Sequence, residues 1–119
     1  MSEYASIAGV QIPAASRVSM KIEISADVNV SAFVARQKAN SFLILQIGDQ
    51  LAAGEPELHI EKELSWRVPV FYAPSRQGMM GVVGHLLVNV NTGEVSLADG
   101  LTVDDLIDRA EALYERAAL

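Results

Sequence analysis

The chain has 119 residues, half of them hydrophobic and a fifth charged, with no cysteine and a formal net charge of −6. That length suits one domain, which at this size buries roughly 65% of its unfolded surface without covalent staples. The composition excludes a disordered chain, and the missing thiols exclude disulfides, thiolate metal sites and a cysteine nucleophile.

The charge is uneven. Residues 1–54 balance four basic against four acidic side chains, whereas residues 55–119 hold five basic and eleven acidic ones. An acidic half repels phosphate backbones, which argues against nucleic acid as a ligand, and it suits a basic protein partner. No run approaches the ~20 apolar residues of a membrane-spanning helix, because the longest, Met79 to Val88, is broken by two glycines and His85. Residues 1–16 carry one charge, Glu3, and lack both the basic start and the apolar core of a signal peptide. They read as a lead-in or edge segment before a single domain over residues 17–119, expected in the cytoplasm.

Arg17 to Ser25 alternates, with Val18, Met20, Ile22 and Ile24 on one face and Ser19, Lys21 and Glu23 on the other, the period of a half-buried strand. Asp27, Asn29 and Ser31 then offer three candidate N-caps for a helix predicted from Val30 to Ala53. Its apolar positions include Val30, Phe33, Val34, Phe42, Leu45 and Ile47, and the run Phe42 to Leu45 predicts cover on more than one side. Gly54-Glu55-Pro56 stops it.

From Leu58 the even positions are Leu58, Ile60, Leu64, Trp66, Val68, Val70 and Tyr72, interrupted only by Lys62. This period predicts one long strand or two joined at a bend near Lys62, with Pro69 marking an edge, a bulge or a strand end. Ala73 to Gly81 reads as a loop. Gly81 to Val90 is a further strand, with Val82, Leu86, Val88 and Val90 on one side and Val83, His85 and Leu87 on the other; a bulge is expected at Gly84.

Asn91-Thr92-Gly93 predicts a three-residue hairpin loop with Gly93 left-handed. Glu94 to Leu97 returns as a short strand. Thr102 and Asp105 form a capping box and Leu101 can staple onto Leu106. The last helix, Val103 to Ala117, carries the stripe Leu106, Ile107, Ala110, Leu113 and Tyr114. The order is β-α-β-β-β-α, an α+β fold in which an antiparallel meander packs against a long helix, with a C-terminal helix closing the chain.

Motifs for catalysis are missing. His59 and His85 stand without H-x-x-H or H-E-x-x-H spacing, and no G-x-S-x-G elbow is present. Gly78, Gly81 and Gly84 precede no helix that could cradle a phosphate. No metal, cofactor or catalytic residue is therefore assigned. The candidate binding residues are Arg76, Met79 and Met80, an adaptable loop, together with Trp66, Tyr72 and His85.

The segments L-S-W-R-V-P-V-F-Y and G-V-V-G-H-L-L-V-N-V-N-T-G-E-V resemble PepSY-like domains, whose strand ends in a V-D-x-x-T-G-E-like hairpin turn. The likeness covers roughly residues 30–97, with asparagines at Asn89 and Asn91 where an aspartate belongs. The W-R-V-P-V layout is also similar to small bacterial proteins associated with PIN-domain ribonucleases. The PepSY resemblance implies a binding or inhibitory module for another protein, often a peptidase, and it carries over no catalytic residues. The expectation is a protein-binding module, a regulator, inhibitor or antitoxin-like partner. The alternatives are a small-molecule-binding domain or minor enzyme, with a pocket between helix and sheet lined by Trp66, Tyr72 and His85, and a homodimer with a purely structural role.

Overall fold

The computed structural model describes residues 4–7, 10–13, 27–74 and 78–117. The strand expected over Arg17–Ser25 lies outside them. Within the lead-in, β1 (Tyr4–Ile7) pairs antiparallel with β2 (Val10–Pro13) as a two-stranded sheet separate from the main one. The main body is α+β: helix α1 (Ala32–Gln46), strands β3 (Leu51–Ala53), β4 (Glu57–Ile60), β5 (Leu64–Tyr72), β6 (Gly81–Asn89) and β7 (Val95–Leu97), then helix α2 (Val103–Ala117). Strands β5, β6 and β7 form an antiparallel meander, and β3 and β4 share the other edge of β5. Among the described residues no helix is long and apolar enough to cross a membrane.

Of the three candidate caps, Ser31 starts α1, its hydroxyl accepting from the Val34 N–H at 3.2 Å. The helix ends well before Ala53. The Ile47 and Gly48 N–H groups both donate to the Leu43 carbonyl, and Gly48 takes a φ of 144°, after which Leu51–Ala53 pairs with Tyr72–Val70. Sheet pairing overrides what read as continued helix, because the glycine turns the chain and Leu51 and Ala53 can be buried in an edge strand.

The buried stripe of α1 is Ala35, Ala39 and Leu43. Two alanines bring the helix axis close to the sheet, and the larger side chains expected to be covered on several sides point outward instead. Phe33 is 70%, Ile44 60% and Leu45 81% exposed. Phe42 and Ile47 pack half-buried against the core, and Val30 is buried just ahead of the helix.

The long alternating run is two strands, turning through Glu61–Glu63. Its even positions on β5 face the helices: Val68, Val70 and Tyr72 are buried, and the Trp66 indole N–H donates to the Val30 carbonyl at 2.7 Å. That bond, with Asn29 and Val30 N–H groups donating to the Val90 carbonyl, fixes the entrance of α1 onto β5 and β6.

The strand carrying Pro69 is neither an edge nor at its end there. It is central, flanked by β6 on one side and by β3 and β4 on the other. The Pro69 carbonyl accepts from the Gly54 N–H at 2.8 Å. A strand residue's nitrogen and carbonyl point the same way, so the missing donor faces the break between β3 and β4, where no ladder bond is required. At that edge α1 supplies the partners: Arg36 Nε donates to the Ala53 carbonyl at 3.0 Å and the Asn40 side-chain oxygen accepts from the Ala53 N–H at 2.9 Å. The edge of β3 is thus closed by side chains rather than by another strand.

A bulge shifts the β5–β6 register: Val70 lies opposite Gly84 and Phe71 opposite Val82, leaving Val83 as the extra residue. Val83 is buried and Val82 is 50% exposed, the reverse of the simple alternation, because one inserted residue flips every side chain beyond it. The bulge stands beside Gly84, where it was expected. Arg109 of α2 donates to the Val83 carbonyl at 3.1 Å.

The β6–β7 turn is one residue longer than expected. Asn89 N–H donates to the Glu94 carbonyl and Gly93 N–H to the Asn89 carbonyl, so Val90–Gly93 make the loop, with Gly93 at φ 74°. The Asn89 side-chain oxygen accepts from the Asn91 and Thr92 N–H groups, an asparagine-capped turn.

Helix α2 begins at the capping box. Thr102 N–H donates to the Asp105 carboxylate at 2.8 Å and Asp105 N–H to the Thr102 hydroxyl at 3.2 Å. Its Leu106 and Ala110 are buried over β6. A Cβ on Gly84 would stand 2.5 Å from Leu106 Cδ2 and 3.3 Å from Leu101 Cδ1, and Leu106 is fully buried with no room to retreat. Gly84→Ala should therefore lower stability by ~1–3 kcal/mol, read from the urea midpoint at constant m-value. An unchanged midpoint would mean that α2 does not need this close approach.

Candidate functional site

The two helices lie on the same face of the sheet. Between the end of α1 and the middle of α2 they leave an open groove of about 530 Å³. Its floor is Leu51, Tyr72 and Ala110; Ile47, Ile107 and Tyr114 line its sides, and Asp49 and Glu111 bring carboxylates to it. Each helix contributes by its own periodicity: Ile107, Ala110, Glu111 and Tyr114 lie on one side of α2, and the turn Gly48–Gln50 carries the chain from α1 into β3. Leu51 and Tyr72 are buried, while Tyr114 is 55% exposed, so the groove runs from the core to the surface. Among the described residues no hydrogen bond or ion pair engages Asp49 or Glu111, and no His, Cys, Asp or Glu cluster has metal-binding geometry.

The opposite face of the sheet is polar. Arg67 pairs bidentately with Asp99, at 2.8 Å and 3.4 Å. His85 stands opposite Pro69 on this same face. Burial pushes the His85 imidazole below its ordinary value of 6.5, with the Arg67 charge adding to the effect and Asp99 and Glu57 opposing it. The hydrogen bond from Arg67 holds the Asp99 carboxyl below its ordinary 3.8.

Further along this face a hollow of about 330 Å³ includes His59, Glu63, Ser65, Asn89, Glu94 and Ser96 in its lining. His59 faces Ser65 across the β4–β5 pair, but no hydrogen bond joins them. The buried His59 Nε2 lies 3.4 Å from Glu61, within ion-pair reach yet without hydrogen-bond geometry. Asn89 donates to Glu63 at 3.0 Å and organises the turn. Asn89 and Glu63 thus satisfy each other, whereas His59 Nε2 has no hydrogen-bond partner among the described residues.

The binding residues named from sequence scatter over this frame. Trp66 and Tyr72 lie on the helix-covered face, six positions apart on β5 and hence roughly 20 Å from each other. His85 lies on the other side of the sheet, so the three do not line one pocket. Tyr72 does join the inter-helix groove, and Trp66 instead anchors the entrance of α1. Arg76 is outside the described residues. Met79 is 59% exposed, whereas Met80 packs against the core and its N–H donates to the Tyr72 carbonyl. The groove residues Asp49, Ile107, Glu111 and Tyr114 were not singled out. The i, i+3, i+4, i+7 spacing from Ile107 to Tyr114 was visible, but it read as core because nothing local reveals that α1 stops short of it.

The titration of His85 has a defined sign. A folded-state value below 6.5 means the unfolded chain takes up the proton first, so stability falls as pH drops below 6.5. His85→Asn should flatten that part of the profile when urea midpoints are compared between neutral pH and pH ~5. The Asp99 contribution is lost only below 3.8 and should persist in the variant. Parallel wild-type and variant profiles above pH ~5 would remove His85 as the source.

No protein-family model, curated protein or solved structure matches this chain.

Proposed function

We propose that the chain is a non-enzymatic protein-binding module, acting as a regulator, inhibitor or antitoxin-like partner of another protein. The observation that carries this reading is the outward side of α1, where Phe33, Ile44 and Leu45 are each at least 60% exposed on a chain of net charge −6. Large apolar groups left on the outward side of a helix cost free energy in water, and a partner surface that covers them recovers roughly 25 cal/mol per Å². Leu58 and Ile60 on β4 are also more than half exposed and point to the helix side of the sheet, opposite Trp66 and Leu64. Met79 extends the exposed apolar set near the start of β6. The PepSY-like resemblance of the hairpin agrees with a binding role.

A second reading, a small-molecule-binding domain, rests on the inter-helix groove, whose volume of about 530 Å³ falls within the usual range for ligand pockets. A thermal-shift metabolite screen addresses it, since a ligand that occupies the groove raises the melting temperature by mass action.

The deciding experiment is affinity capture from lysate at moderate salt, using the wild type and a Phe33→Ser/Leu45→Gln variant. Both positions are solvent-facing, so the variant should fold with stability changed by no more than ~0.5 kcal/mol per site. The expected result is one stoichiometric protein on the wild type that is lost from the variant. Equal recovery on both baits would move the contact off α1, and bait alone from both would remove the protein-binding assignment. Light scattering over a concentration series separates a foreign partner from a second copy of the chain.

A further inference from the structure

We infer that the inter-helix groove receives a lysine or arginine side chain carried on an apolar segment of the protein partner. The inference rests on the protein-binding reading and names the chemistry of what is bound.

Three observations converge on a cation with an apolar stem. First, the interior of the groove is apolar and aromatic, built from Leu51, Tyr72, Ala110 and Ile107, which suits a methylene stem that buries its length and leaves its charge at the rim. Second, among the described residues the charged side chains that line it are Asp49 and Glu111, and no Lys, Arg or His does. An anion entering there would meet two like charges at close range, and a cation would meet two opposite ones. Third, α1 ends at the groove with no basic residue in its last turn, so the negative end of its dipole is left without a cation of its own. These electrostatic contributions have independent sources, a helix terminus and side chains from two different elements, and they have one sign.

The occupant is part of a polypeptide rather than a free amine because the apolar surface does not stop at the groove. Ile44, one turn before Ile47 on the same side of α1, continues it outward and is largely exposed. A free amine would leave it in water, whereas a segment with apolar residues beside its basic one covers it.

The test uses a fluorescein-labelled dodecapeptide alternating leucine and arginine, and a counterpart with glutamate in place of arginine, titrated against the full chain by anisotropy. The arginine peptide should bind and the glutamate peptide should bind at least ten-fold more weakly. Asp49→Asn/Glu111→Gln should weaken the arginine peptide roughly five-fold, as expected for two exposed charge contacts. Glu57→Gln/Asp104→Asn makes the same change in net charge away from the groove and should weaken it less than two-fold. Equal losses in the two variants would show attraction to the acidic surface at large and overturn the site, as would absence of binding or indifference to peptide charge. The peptide titration does not depend on the lysate capture. Captured partner with a failed titration removes only the groove, while bait alone in the capture removes the protein-binding reading itself.

Discussion

The architecture depends on how closely two helices can approach one sheet. Helix α1 presents Ala35 and Ala39 to the strands, and β6 presents Gly84 to α2, where Leu106 and Leu101 occupy the space a side chain would have filled. Small residues at these points bring the helices down onto Val68, Val70 and Leu86, all fully buried. Close packing there sets the helix positions on the sheet. Toward the Tyr72 end neither helix fills the space between them, and the groove is what remains.

The same economy governs the edges. A broken edge strand pair, β3 and β4, is tolerated because α1 side chains satisfy Ala53 and because Pro69, which has no donor to offer, lies opposite the break. On the far face of the sheet the polar groups largely satisfy one another: Arg67 with Asp99, Asn89 with Glu63 and with its own turn. The helix side differs, because its outward apolar groups, Phe33, Ile44 and Leu45, have no covering layer among the described residues. The binding surface proposed for the molecule therefore lies on its helix side.

Much of this was legible in the residues. The alternation through β4 and β5, the capping box at Thr102 and Asp105, the left-handed Gly93 and the extent of α2 were all set by contacts between near neighbours in the chain. Ser31 could be recognised as one of three caps for the same reason. The candidate site was much less legible. Tyr72 was singled out and does reach the groove, but it was grouped with His85, which the sheet carries on its opposite face. Asp49 and Glu111 lie 62 positions apart in the chain, so no local pattern connects them.

Sequence by itself determined which segments alternate, which turns must bend and where charge accumulates, since those properties arise from side-chain chemistry acting over a few bonds. Tertiary structure alone decided that Leu51–Ala53 leaves the helix to pair with β5, that the extra residue at Val83 exposes Val82, and that Phe33, Ile44 and Leu45 face water. Each of these outcomes turns on a competition between alternatives of similar local energy. Such a competition is resolved by pairing register and by which neighbour from a distant part of the chain fills the space.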